Sequence, residues 1–179
     1  MNKTSMISLG FLVVMGVYPF LVDSAWLAVG TTFLVFSVVA FSQDIILGRA
    51  GAFHMGHAAF FGLGAYTTAI LNTHFGWPIL ATWAPAVIIP MIIAVISVGP
   101  IIHLRGDYLL VATIGLNIIF MQVLENDLFG LTGGPNGIFG IDVVSVFGFE
   151  FFEQIHMYFM AFILLGITLF IMKTLDGSK

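Results

Sequence analysis

The chain reads as an all-α membrane protein of about six transmembrane helices (5 to 6), with its N-terminus and C-terminus cytoplasmic and a glycine-rich break before the third span. Three features lead there. Of its 179 residues, 60% are hydrophobic and 8% charged, and its mean hydropathy is +1.11, far outside the soluble globular range. The apolar runs are about 20 residues long, the length a helix needs to cross the hydrocarbon, so five or six fit and no separate soluble domain does. With the N-terminus inside, Lys3, Arg49, Arg105, Lys173 and Lys179 all fall on the cytoplasmic side, as the positive-inside rule requires. Asp23, Glu125, Asp127, Asp142, Glu150 and Glu153 then lie outside. The absence of cysteine excludes thiolate metal sites and cysteine nucleophiles, and five Lys plus Arg exclude a nucleic-acid surface.

The first segment, Met6 to Val22, has two readings. Lys3 ahead of an apolar run and small residues near Val22-Asp23-Ser24-Ala25 fit a signal peptide. The length of the run, and Tyr18-Pro19-Phe20 as an interfacial helix end, fit a span better. Ala25 to Leu47 is the second span, and His57 to Phe75 the third. Ile79 to His103, the fourth, carries Pro85, Pro90 and Pro100. It is expected to kink near Pro85 and Pro90, the freed carbonyls being satisfied by neighbouring helices or water. Tyr108 to Glu125 is the fifth span, and the external loop of about 126–155 leads to the sixth, His156 to Met172. The whole of 1–179 forms a single transmembrane domain on this reading.

Two glycine-rich polar interruptions cut this apolar chain, and breaks of that kind suit a protein that moves something better than one that only anchors. Between Gly48 and Tyr66, Gly51, Gly56, Gly62 and Gly64 with Ala58, Ala59 and Ala65 allow close backbone approach, and Ala58 to Gly62 has small-xxx-small spacing. His54 and His57 enter the membrane at this point. An i,i+3 histidine pair can ligate a metal or haem, but no further histidine or carboxylate is spaced to complete a site, so no metal and no cofactor is expected. Two readings stay open for these histidines: a hydrogen bond to a carbonyl at a helix start, or contact with a transported solute.

On the fifth span Asp107 is expected at the N-cap, with Arg105 at the lipid headgroups. Thr113, Asn117 and Gln122 are its polar interior residues. They are four and five residues apart and are expected to line one face, as interhelical glue or as a solute path. Asn117 is the deepest and the best single path candidate; His54, His57, Thr113 and Gln122 complete the candidate set. In the external loop Gly133, Gly134, Gly137 and Gly140 surround Pro135-Asn136. That is turn chemistry, and no Lys-Ser/Thr follows to make a phosphate loop. Phe129, Ile138, Phe139 and Ile141 are too apolar for a free loop and predict a segment folded onto the external mouth or held by a partner.

Three runs taken together, GHAAFFGLGAY from Gly56 to Tyr66, LRGDYLLVATIG from Leu104 to Gly115 and LTGGPNGIFGI from Leu131 to Ile141, resemble the permease subunit of branched-chain amino-acid ABC importers, the LivM-type family. The motif positions are Gly56, Gly62, Gly64, Tyr66, Arg105, Gly106, Asp107, Tyr108, Gly133, Gly134, Pro135, Asn136 and Gly137. The resemblance covers about Gly48 to Lys179 and implies a multi-pass protein of the bacterial cytoplasmic (inner) membrane, surrounded by membrane lipid. It implies a second related permease subunit, ATP-binding cassette subunits that hydrolyse the ATP, and an extracytoplasmic solute-binding protein. The solute would be a branched-chain amino acid or a related small polar molecule such as another amino acid, an amide or urea, and the chain itself would not be an enzyme.

The chain departs from that pattern. Members often carry Gln and Ser where it has Ala52 and His54, and Glu and Arg near the positions of Ile118 and Met121. Members also continue past the sixth span into a basic cytoplasmic loop that docks on the ATP-binding subunit. The expectation is therefore an amino-terminal portion of a permease, or a shortened relative, which needs a second polypeptide to couple ATP hydrolysis. Two other classes compete: a structural or assembly subunit that transports nothing, and a membrane redox anchor using His54 and His57. No paired carboxylates or activated serine within a span support catalysis.

Overall fold

A computed structural model describes residues 3–49, 51, 54–101, 103–104, 106–146, 149–151 and 153–176. The six predicted segments all form helices, and the chain divides into two compact units, 1–45 with 151–179 and 46–150.

The first unit holds α1 (Lys3–Val17), a 3₁₀ turn over Tyr18–Phe20, α2 (Ser24–Asp44) and α6 (Gln154–Asp176). α2 and α6 pack along a seam of Leu27 and Leu34 against Tyr158, Ala161 and Leu165, positions three, four and seven apart that return to one side of a helix. Gly30 makes the seam close. A Cβ there would come within 2.5 Å of the Tyr18 ring and 3.1 Å of the Tyr158 ring. The two rings stack beside it with centroids 5.9 Å apart. The Tyr18 hydroxyl donates to the Trp26 carbonyl at 2.9 Å, and the Tyr158 hydroxyl donates to the Met15 carbonyl at 2.6 Å.

The second unit opens on the π-helical turn Ile45–Arg49, whose first residue closes the preceding unit. It continues through α3 (His57–Thr73), α4 (Ile79–Val98) and α5 (Asp107–Glu125). Two 3₁₀ turns, Leu128–Gly130 and Gly134–Asn136, and a short antiparallel pair, β1 (Ser145–Val146) and β2 (Phe149–Glu150), make up its loop. α3 packs on α4 and, over a smaller area, on α5. α4 runs as one helix through Pro85 and Pro90. It ends at Val98 instead of reaching His103, because Pro100 offers no N–H to carry the helical bonds on.

Large apolar side chains point outward: Val87, Val95 and Ile96 on α4 are 68 to 69% exposed. The buried residues of the second unit include Thr67, Asn72, Thr82, Thr113 and Thr132. This is the reverse of a water-soluble fold and suits lipid as solvent. Helix hydroxyls back-bond to the carbonyl four residues earlier, as Thr31 to Leu27, Ser37 to Phe33, Thr67 to Leu63 and Thr168 to Leu164, which matches these hydroxyl protons without water. Among the described residues four helical segments are long and apolar enough to cross a membrane: Ser24–Gly48, Ile79–Val98, Asp107–Glu125 and Gln154–Leu175. α1 and α3, at 15 and 17 residues, rise roughly 22 to 26 Å and would need their flanking turns to span about 30 Å.

Candidate functional site

The break before α3 is held in place by α5. Gly51 takes φ +65, a conformation glycine adopts without penalty. The Met55 N–H donates to the Thr113 hydroxyl oxygen at 3.0 Å. That hydroxyl donates in turn to the Leu110 carbonyl at 3.0 Å. Gly56 is buried against the same residue, where an added Cβ would lie 3.6 Å from the Thr113 carbonyl oxygen. Thr113 is wholly buried, and its hydroxyl is used both as donor and as acceptor.

His54 and His57 follow on the other side of this turn. Their ring centroids are 6.4 Å apart, and both line a pocket of about 530 Å³ whose far wall is α4 from Pro90 to Gly99. The remaining lining, Ile46 and Phe60 included, is apolar. Among the described residues no cluster of three or more His, Cys, Asp or Glu is arranged to hold a metal.

Thr113, Asn117 and Gln122 do not share a face. At about 100° per residue, five residues turn the helix by roughly 140°, so Gln122 looks away from Asn117. Thr113 is buried and Gln122 exposed. The Gln122 side chain meets Glu125 and Asn126 near the helix end, each at 3.4 Å. Asn117 sits half-buried at the middle of α5 and makes no side-chain hydrogen bond among the described residues. It does not line the histidine pocket, so the five path candidates do not form one site.

The remaining motif positions divide between packing and turn geometry. Gly64 brings α3 onto α4, where an added Cβ would stand 3.2 Å from the Ala86 carbonyl oxygen. That carbonyl is the one Pro90, lacking an N–H, leaves without its helical partner. Gly62 has open space at its Cβ position among the described residues, so the spacing from Ala58 to Gly62 packs on nothing there. Gly106, at φ 59, is the N-cap of α5 and Asp107 its first helical residue, with no side-chain cap bond. Asp107 therefore acts on the positive helix end through its charge and not as the expected cap. Tyr108 is 77% exposed. Arg105 and Ala52 lie outside the described residues.

The loop between α5 and α6 is tied down by residues that sequence reasoning passed over. Asp127, in left-handed backbone at φ 48, accepts from the amides of Thr132 and Gly133, each at 2.9 Å. The Thr132 hydroxyl donates to the Leu124 carbonyl at 2.7 Å. At Gly133, φ 71, an added Cβ would overlap the Gly137 carbonyl oxygen. Gly134 is buried against the end of α5, Pro135 and Asn136 complete the 3₁₀ turn, and the Gly137 N–H closes it on the Gly134 carbonyl at 3.1 Å. A second tie joins α3 to the loop. Asn72, 3% exposed, donates to the Trp77 carbonyl at 2.9 Å and to the Asp142 carboxylate at 3.0 Å. It accepts from the Asp142 N–H at 2.8 Å. Beneath the loop an apolar cavity of about 280 Å³ is lined by Leu63, Tyr66, Leu71, Val123 and Leu131 among others, with Phe129 at its rim.

Outward-facing apolar helices that bury Thr67, Asn72, Thr82 and Thr113, interrupted by a polar re-entry and closed by a pinned loop, define a multi-pass α-helical membrane protein. Over residues 25–178 the chain matches the family model described as branched-chain amino acid transport system / permease component. It belongs to that family. It is 32% identical over 152 residues to the high-affinity branched-chain amino acid transport system permease protein LivM of Escherichia coli strain K12. It is 30% identical over 149 residues to the protein of the same name from Salmonella typhimurium strain LT2. Each alignment covers 83% of this chain and 35% of the relative, so the chain spans about a third of the length of the curated relatives it matches. No solved structure matches it.

Proposed function

We propose that this chain forms part of the translocation pathway of an ATP-driven importer of branched-chain amino acids or a related small polar solute. The observation that carries the reading is the permease-component match over residues 25–178. On this reading a second related permease subunit completes the pathway, ATP-binding cassette subunits hydrolyse the ATP, and an extracytoplasmic binding protein delivers the solute. The chain contributes no catalytic residue of its own. It resides in the bacterial inner membrane with both termini cytoplasmic.

Asn117 is the proposed pathway residue. A carboxamide carries two donors and an acceptor, and leaving it unmatched at the middle of a membrane helix is costly. Among the described residues nothing on this chain matches it, which supports a partner of another kind, water or the solute in the pathway. Thr113, with its hydroxyl already engaged, is proposed as the tie that fixes the α3 entry. Gln122 belongs to the external helix end.

The test uses the complex purified from its own cells and reconstituted in proteoliposomes, with labelled leucine uptake driven by ATP. Asn117→Leu is expected to lower uptake at least tenfold while the amount of assembled complex stays the same. Unchanged uptake would remove Asn117 from the pathway. A complex with no ATPase subunit and no ATP-dependent uptake of any amino acid, amide or urea would instead favour a structural subunit.

A further inference from the structure

We propose that Leu128–Gly130 is a flap, and that the Phe129 ring, outward in this structure, swings down to plug the apolar cavity beneath the loop and close the gap between α3 and α5. The cavity, about 280 Å³, is walled by Leu63, Thr67 and Leu71 of α3, by Val123 of α5 and by Leu131 of the loop. An apolar cavity of about 150 Å³ already admits a benzene ring, so a phenyl side chain fits this one. Phe129 stands at the rim and is 86% exposed, more than any other large apolar side chain among the described residues. One movement would take that ring out of solvent and give the cavity walls a partner to pack on.

The backbone of the flap is a second, independent support. Among the described residues only Asp127 and Phe129 take a positive φ without being glycine, at 48 and 63, and left-handed backbone is strained for an aromatic residue. Such strain persists where the surroundings enforce it. At Asp127 they do, since its carboxylate holds the amides of Thr132 and Gly133. The turn through Phe129 is closed by one backbone bond, from the Gly130 N–H to the Asp127 carbonyl at 2.9 Å. Gly130, at φ 68 with open space at its Cβ position, lets the chain turn there in either hand. The Asp127 ties on one side and the Thr132 hydroxyl on the Leu124 carbonyl on the other confine the movement to the segment between them. Swinging inward returns Phe129 and Gly130 to right-handed backbone at the cost of that one bond.

The flap rests on the loop's own geometry and not on which solute is carried. The complex from its own cells, with 4-fluorophenylalanine in place of either Phe129 or Phe139, is placed in lipid nanodiscs. Fluorine relaxation is read with a gadolinium chelate in the water and, separately, with a nitroxide on the lipid. Phe139, 79% exposed and no part of the cavity wall, is the reference. A ring that stays outward would relax at Phe129 at least as fast as at Phe139. The flap is expected to make gadolinium relaxation at Phe129 at least twofold weaker than at Phe139, with no compensating effect of the nitroxide. Val123→Trp, which fills the cavity from α5, should bring Phe129 up to the Phe139 level. Gly130→Ala, which meets no neighbour but disfavours the left-handed turn, should protect Phe129 further. Gadolinium relaxation at Phe129 equal to that at Phe139 in the unaltered complex, or protection that survives Val123→Trp, overturns the flap. So does protection from gadolinium accompanied by relaxation from the nitroxide, which would place the ring in the bilayer. Should Val123→Trp not assemble, Gly130→Ala decides, and an unchanged signal in it counts against the flap.

Discussion

Pro19 and Tyr158 form a pair that never touch in the sequence yet solve one problem together. In a continuous helix the Met15 carbonyl would accept from the N–H four residues on, but residue 19 is proline and has none. In lipid no water is at hand to replace it. The Tyr158 hydroxyl, on a ring with no exposed surface, reaches that carbonyl at 2.6 Å, and Gly30 supplies the room for the ring. Tyr158→Phe keeps the ring and leaves the carbonyl orphaned, a cost of about 1 to 3 kcal/mol. The melting temperature of the detergent-solubilised complex is expected to fall by several degrees. Gly30→Ala, which pushes both tyrosine rings, should cost about as much through overpacking. A Tyr158→Phe protein that melts with the unaltered one would mean that the Met15 carbonyl finds another donor.

Helices were legible in this sequence because lipid exposure demands apolar residues all round, a signal that does not depend on which face packs. The six apolar runs accordingly became α1 to α6. The same uniformity hid the packing faces. Thr113 and Gln122 look alike in a list of polar residues, but nine positions turn a helix by about half a revolution from face to face. The Asp127 tie had a local signature that could be found: an acidic residue shortly before Thr132-Gly133, where free amides gather in a glycine turn. The tie from Asn72 to Asp142 had none, since 70 residues separate its partners and only the fold brings them together. Gly64 is a position where residue type and helix contact do agree. It faces the carbonyl that Pro90 releases, so Gly64→Val should force α3 from α4 and lower the yield of folded protein severalfold. Pro90→Ala, which restores the helical bond to Ala86, should leave the yield unchanged or higher. Equal yields for Gly64→Val and the unaltered chain would show that the two helices can part without loss.

The disposition of charge along the chain makes a claim about the membrane that can be tested with a single reagent, because the sequence contains no cysteine. If all six helices cross with the N-terminus inside, the exposed positions Asp23, His74 and Asn136 face outward, and Met55, His103 and Thr174 face the cytoplasm. Single cysteines at the first three should react in intact cells, or in spheroplasts where an outer membrane intervenes, with a membrane-impermeant maleimide. The other three should react only after the membrane is opened. The two short helices are where this pattern discriminates. α4, α5 and α6 are long enough to cross unaided, so His74, His103, Asn136 and Thr174 alternate whether or not α1 and α3 span. Asp23 and Met55 do not share that indifference. Protection of Asp23→Cys alongside labelled His74→Cys would mean that α1 lies on the cytoplasmic surface. Labelling of both Met55→Cys and His74→Cys would mean that α3 does not cross. That second result would also put His54 and His57 on the outer side, away from the cytoplasmic half of α4 that walls their pocket, and would overturn the packing of α3 on α4.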